Sequence, residues 1–95
     1  NDTEFVCARH RLNELFDFIP RRKDHYGISD EKRAKLNAIN LRPHVKMDGD
    51  LADVVTVSFT KWGGFSHYHS HIRWPNLLER IVTEEIVRWD YGIRF

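Results

Sequence analysis

The run DVVTVSFTKWGGFSHYHSHIRW, residues 53–74, decides the fold. Its first eight residues alternate. Val55, Val57 and Phe59 fall on one side of an extended chain, and Thr56, Ser58 and Thr60 fall on the other. Gly63 and Gly64 then supply the positive backbone angles that a tight hairpin needs. Residues 65–74 read as the returning strand. Side chains alternate across a strand, so His67, His69 and His71 share one side, while Tyr68, Ser70 and Ile72 share the other. With Gly63 and Gly64 as a two-residue turn, Phe59 faces Tyr68 and Val55 faces Ile72, which gives an apolar side for helices to cover. The second side then pairs His67 with Thr60, His69 with Ser58 and His71 with Thr56, and Trp62, Phe65 and Arg73 share it.

Upstream, Val45 and Met47 alternate with polar neighbours, and Asp48-Gly49 is a second hairpin signal. Before that the period changes. Phe5, Ala8, Leu12, Leu15, Phe16 and Ile19 recur at three- and four-residue intervals, which predicts a helix over residues 4–18, capped by Asp2 or Thr3 and stopped by Pro20. Ser29 or Asp30 opens a weaker helix that runs to about residue 40. Downstream, Pro75 suits a first helical position, and Leu78, Ile81, Val82, Ile86 and Trp89 predict a helix over residues 76–89. Alternation of Trp89, Tyr91, Ile93 and Phe95 predicts a short final strand. The expectation is an α+β domain in the order α-α-β-β-β-α-β, with helices on one face of a small antiparallel sheet.

Ninety-five residues make a single domain, 1–95, with no room for a second core. A chain that begins at Asn1 is either processed or part of something longer. Leu, Ile, Val and Phe supply 27 residues, enough for a modest core and above the range of disordered chains. One cysteine, Cys7, excludes an internal disulfide framework and a multi-cysteine zinc module, and reads as a packed, inert thiol. No apolar run approaches the ~18 residues of a membrane helix, so a soluble, cytoplasmic protein is expected. A net charge of +1 disfavours nucleic-acid binding driven by charge. The basic cluster Arg21-Arg22-Lys23 reads as a solvated connector. Trp74 and Trp89 read as core, whereas Trp62, at a hairpin tip, reads as a contact residue.

The chemistry gathers on the histidine strand. Neutral imidazole is a ligand for transition metals, so a metal is the cofactor that His67, His69 and His71 suit. Neighbours at i and i+2 lie about 6.6 Å apart and can share an ion, but the outer two lie about 13 Å apart, so at most two serve one metal. The reading that follows is a binding domain acting through Thr56, Ser58, Thr60, Trp62, Phe65, His67, His69, His71 and Arg73. It self-associates or meets a protein partner through this face or through the free edge of the terminal strand. A small-molecule ligand also fits such a face. The alternative is a small hydrolase or nuclease that uses His67, His69, His71 and Arg73, with or without a metal. No carboxylate is evident to orient an imidazole. Whether the protein is an enzyme is left open by the residues.

Overall fold

A computed structural model describes residues 3–75 and 77–91. The elements are β1 (Glu4–Phe5), α1 (Arg9–Phe18), α2 (Asp30–Ala38), β2 (His44–Asp48), β3 (Leu51–Thr60), β4 (Gly64–Arg73) and β5 (Leu77–Val87). All strand pairs are antiparallel, in the order β1-β3-β4-β5, and β2 shares with β1 the outer side of β3. The α+β class, the antiparallel sheet and the placing of both helices on one face all hold.

Both helices are short, and their ends are held by each other's arginines. In α1, residues 4 and 5 pair with β3 instead of joining the helix, which starts at Arg9 with no side-chain cap on Ala8. In α2, Ser29 accepts a hydrogen bond from the Lys32 amide, the cap the sequence foretold. Arg9 at the start of α1 donates to the carbonyls of Leu36 and Ile39 at the end of α2. Arg33 of α2 answers by donating to Phe16 (2.7 Å) and Ile19 (2.5 Å) at the end of α1, and to Ile28 (3.1 Å). Phe16 and Ile19 lie where the end of a helix leaves carbonyls without internal partners. Arg33 is buried and also lies over the Phe16 ring, 5.0 Å from its centre. Burial pushes its guanidinium below the usual arginine value.

The helices cover one end of one sheet face. There Leu12, Leu15, Ile19, Ile28 and Leu36 enclose Val57, Phe59, Phe65, Val87 and Trp89. Paired residues of an antiparallel sheet point to the same face. Phe59 is paired with Phe65 and Val57 with His67, so the histidines lie on the face that carries the core. The expected pairing of Phe59 with Tyr68 is therefore corrected. The cause is the loop. Lys61, Trp62 and Gly63 form the turn, three residues instead of two, and an odd shift reverses which side chains share a face. Gly64, at φ +88°, closes that loop, and a Cβ there would lie 2.3 Å from the Val87 carbonyl of β5.

Two further expectations change. Residues 77–87 are a strand, not a helix. Leu78, Ile81, Val82 and Ile86 satisfy the helical period, but Ile81-Val82-Thr83 is a β-branched run that is stiff in a helix and at home in a strand. As β5, the segment also satisfies the outer backbone groups of β4, with irregular register at Phe65/Ser66 and His71/Ile72. Of the expected terminal strand, residues 89–91 are irregular, and residues 92–95 lie outside those described. Their amides still bond across the hairpin tip, Trp89 to Gly63 and Tyr91 to Lys61. Trp89 is core, but Trp74, expected there too, is 76% exposed in the β4–β5 turn. Cys7 is exposed, not packed.

Three substitutions test this account by urea denaturation. Gly64→Ala meets both a positive φ and β5 backbone, and should cost about 3 kcal/mol or more. Gly49→Ala, at φ +61° with open space around it, should cost about 1–2 kcal/mol. Arg33→Ala strands three carbonyls in the interface between the helices, and should cost about 3 kcal/mol.

Candidate functional site

Beyond the helix-covered end, the same face turns polar. Register aligns its side chains in rows across four strands. One row is Lys46, Asp53, His71 and Arg80, and the next is His44, Val55, His69 and Val82. A third carries Val57, His67 and Glu84. The imidazoles of neighbouring histidines are 6.4 Å apart, centre to centre, as alternate positions on one strand require.

Asp53 is the group that organises the rows. Both of its carboxylate oxygens lie 3.1 Å from Nδ1 of His69. A carboxylate can only accept, so the contact is made by the Nδ1–H tautomer of His69, whose hydrogen an ion bound between Asp53 and His69 would displace. Oδ1 of Asp53 is also 3.5 Å from Nε2 of His71. On the other flank, Glu84 Oε1 stands 3.8 Å from His69 Nε2 and 3.9 Å from His67 Nδ1, too far for hydrogen bonds. Glu84 is therefore a charge neighbour of the imidazoles, not a fixed partner. The side chains of Asp53, His69 and His71 are 21–28% exposed, open enough for an ion to enter and shielded enough to weaken its hydration.

Asp53, His69 and His71 each offer one ligand atom, and those atoms lie within 4.8 Å of one another. A four-coordinate ion with bonds of about 2.1 Å needs donors about 3.4 Å apart. The set contains two of the three strand histidines, the number that strand spacing allows. His67 stands outside it.

The remaining expected site residues separate. Phe65 is fully buried in the core and cannot serve as a contact. Thr56, Ser58 and Thr60 belong to the opposite face, because the three-residue loop moves them there. The hydroxyls of Thr56 and Ser58 reach back to the carbonyls of Tyr68 and Ser66. Trp62, at the hairpin tip, packs edge-on against Tyr91, at the end of the sheet away from Asp53. Arg73 is held by Asp50 at 2.8 Å and by Glu79, whose carboxyl it keeps below the usual range. A guanidinium committed to two carboxylates is not a free anion receptor. Comparison with protein-family models, curated proteins and solved structures finds no match. The chemistry of the face therefore carries the functional argument alone.

Asp53 and Glu84 were missed in the sequence. Asp53 has the parity of Val55, Val57 and Phe59, so the signal for it was present in the alternation, and an assumed even loop concealed it. No carboxylate seemed available to orient an imidazole, whereas Asp53 does so. The groove of about 460 Å³ between α1 and α2, lined by Asn13, Phe16, Asp17, Asp30 and Arg33 among others, takes no residue from the sheet and is separate from the histidines. No helix among the described residues is long and apolar enough to cross a membrane.

The Asp53–His69 contact has a direct spectroscopic consequence. In long-range nitrogen–proton correlation spectra above neutral pH, His69 should carry its proton on Nδ1. Asp53→Ala should move it largely to Nε2, with His67 unchanged.

Proposed function

We propose that the chain is a binding domain whose histidine face holds a divalent transition-metal ion through Asp53, His69 and His71. The observation that carries the reading is the convergence of one carboxylate and two imidazoles from adjacent strands within 4.8 Å. Two imidazoles and a carboxylate suit zinc, iron(II), cobalt, nickel or copper better than magnesium or calcium, which prefer oxygen alone. Three protein ligands leave open positions on the ion, as a site that takes a further ligand requires. Lys46 and Arg80, in register with Asp53 and His71 on the flanking strands, favour a small anion in those positions. With Cys7 as the one cysteine and no membrane-crossing helix among the described residues, we place the protein in the cytoplasm.

A second reading rests on the same carboxylate. Asp53 holds His69 in the tautomer whose Nε2 can act as a general base, which suits a small hydrolase. Its mark would be a hydrolytic activity that His69→Ala abolishes and chelation leaves intact.

The metal reading is tested by titrating the chelator-treated protein with zinc or nickel, followed by calorimetry and by histidine chemical shifts. One ion per chain is expected. Asp53→Ala and His71→Ala should each weaken binding at least about tenfold, and His67→Ala should change it little. Absence of saturable binding, or an effect of His67→Ala equal to that of His71→Ala, would overturn the assignment.

A further inference from the structure

The face of the sheet away from the histidines is made of apolar and hydroxyl side chains, is nearly uncharged, and carries no helix among the described residues. Register places Val45 and Met47 of β2 on it, with Ala52, Val54, Thr56 and Ser58 of β3. Behind them come Ser66, Tyr68, Ser70 and Ile72 of β4, then Leu78, Ile81, Thr83 and Glu85 of β5. Glu85, at one end, is the one carboxylate among these positions, and there is no lysine, arginine or histidine. The chain as a whole is 31% charged, so the depletion is strong. Of the sheet residues that are buried, Val55, Val57, Phe59, Phe65 and Val87 all belong to the histidine face, and Ser58 and the loop-closing Gly64 to this one. Val45, Met47, Leu78 and Ile81 are 48–65% exposed. Phe5 adds its ring beside Tyr68, 5.0 Å away and edge-on.

We infer that this face is the interface of a homodimer, in which two copies stack sheet on sheet about a two-fold axis. Size is the first ground. The 5, 10, 10 and 11 residues of β2, β3, β4 and β5, at about 3.3 Å rise and about 4.8 Å spacing, give about 570 Å² per copy. Two copies together bury about 1,140 Å², above the ~1,000 Å² that separates a specific interface from a casual contact. Charge is the second ground. A face without cations has nothing to hold a nucleic acid or an acidic peptide, and one with a single peripheral carboxylate has nothing to select a basic partner. A neutral surface meets its complement in another neutral surface, and a second copy brings one with the same twist. Two such sheets pack about 10 Å apart at about −30°. The Tyr68, Thr56 and Ser70 hydroxyls at the centre can exchange hydrogen bonds across a two-fold axis, because each copy offers both donors and acceptors. The histidine face stays outward in this arrangement, so the inference does not depend on the metal reading.

Sedimentation velocity and light scattering over a range of concentrations test it. A dimer is expected at micromolar concentration. Met47→Lys and Ile81→Lys, on strands at opposite sides of the patch, should each raise the dissociation constant at least about a hundredfold. Each charge enters a two-fold interface twice and is buried without a partner. Both positions are exposed in the single chain, so far-UV circular dichroism should be unchanged, and His69→Ala should dimerise normally. A chain that stays monomeric at hundreds of micromolar would overturn the inference and leave the face to a different partner. So would a dimer that both lysine variants retain, or one that His69→Ala dissociates.

Discussion

The register between β3 and β4 governs everything else in this molecule. It is set by three loop residues, Lys61, Trp62 and Gly63, and by Gly64, whose positive φ and close approach to β5 no side chain tolerates. A change of one residue in that loop would turn every β4 side chain to the other side relative to β3. Phe65 would then leave the core, Asp53 would lose His69 and His71, and the uncharged face would acquire three imidazoles. One local backbone requirement thus fixes the core, the polar site and the bare face together. Trp89 and Tyr91 reinforce it by bonding to Gly63 and Lys61.

The second dependence is on the paired arginines. Two helices of ten and nine residues have little stability of their own in water. Arg9 and Arg33 compensate by satisfying each other's helix ends, and Arg33 does so from a buried position with carbonyls, not a carboxylate, as partners. The planar fork presents donors on Nε and both terminal nitrogens, so one guanidinium reaches three acceptors that are spread apart. Because the helices are so short, they roof only the Phe59–Phe65 end of the sheet. The uncovered remainder of that face is where the histidines stand.

The sequence made some of this plain and hid the rest for identifiable reasons. The β3 and β4 strands were legible because Val55, Val57 and Phe59 alternate without interruption, and α2 because Ser29 is a cap ahead of two acids. β5 was not legible, because Leu78, Ile81, Val82, Ile86 and Trp89 match a helical stripe, and a Pro ahead of them serves a turn as readily as a helix start. Trp74 misled in the same way, since an aromatic next to a turn is placed by the turn and not by its strand parity. The histidine cluster was legible as a cluster, but its sidedness was not. Parity within a strand is local, whereas parity between strands depends on the loop length, and Gly63-Gly64 suggested the wrong one. Asp53 was invisible as a site residue for that reason alone.

Seen from both sides, the sheet sorts its charges. Lys46, Asp48, Asp53, Arg80 and Glu84 lie with the histidines, whereas Glu85 alone lies on the other face. An antiparallel sheet with one free side ordinarily turns its polar residues to that side and its apolar residues to the core. Here the face that carries the core also carries the ionisable groups, and the free face carries further apolar residues among hydroxyls. That arrangement is unfavourable for an isolated chain in water, because exposed valine, methionine, leucine and isoleucine forgo roughly 25 cal/mol for each Å² of apolar surface they could have buried. It becomes favourable once the bare face is covered. The same covering leaves the imidazoles and Asp53 in contact with solvent, where an incoming ion can still be met.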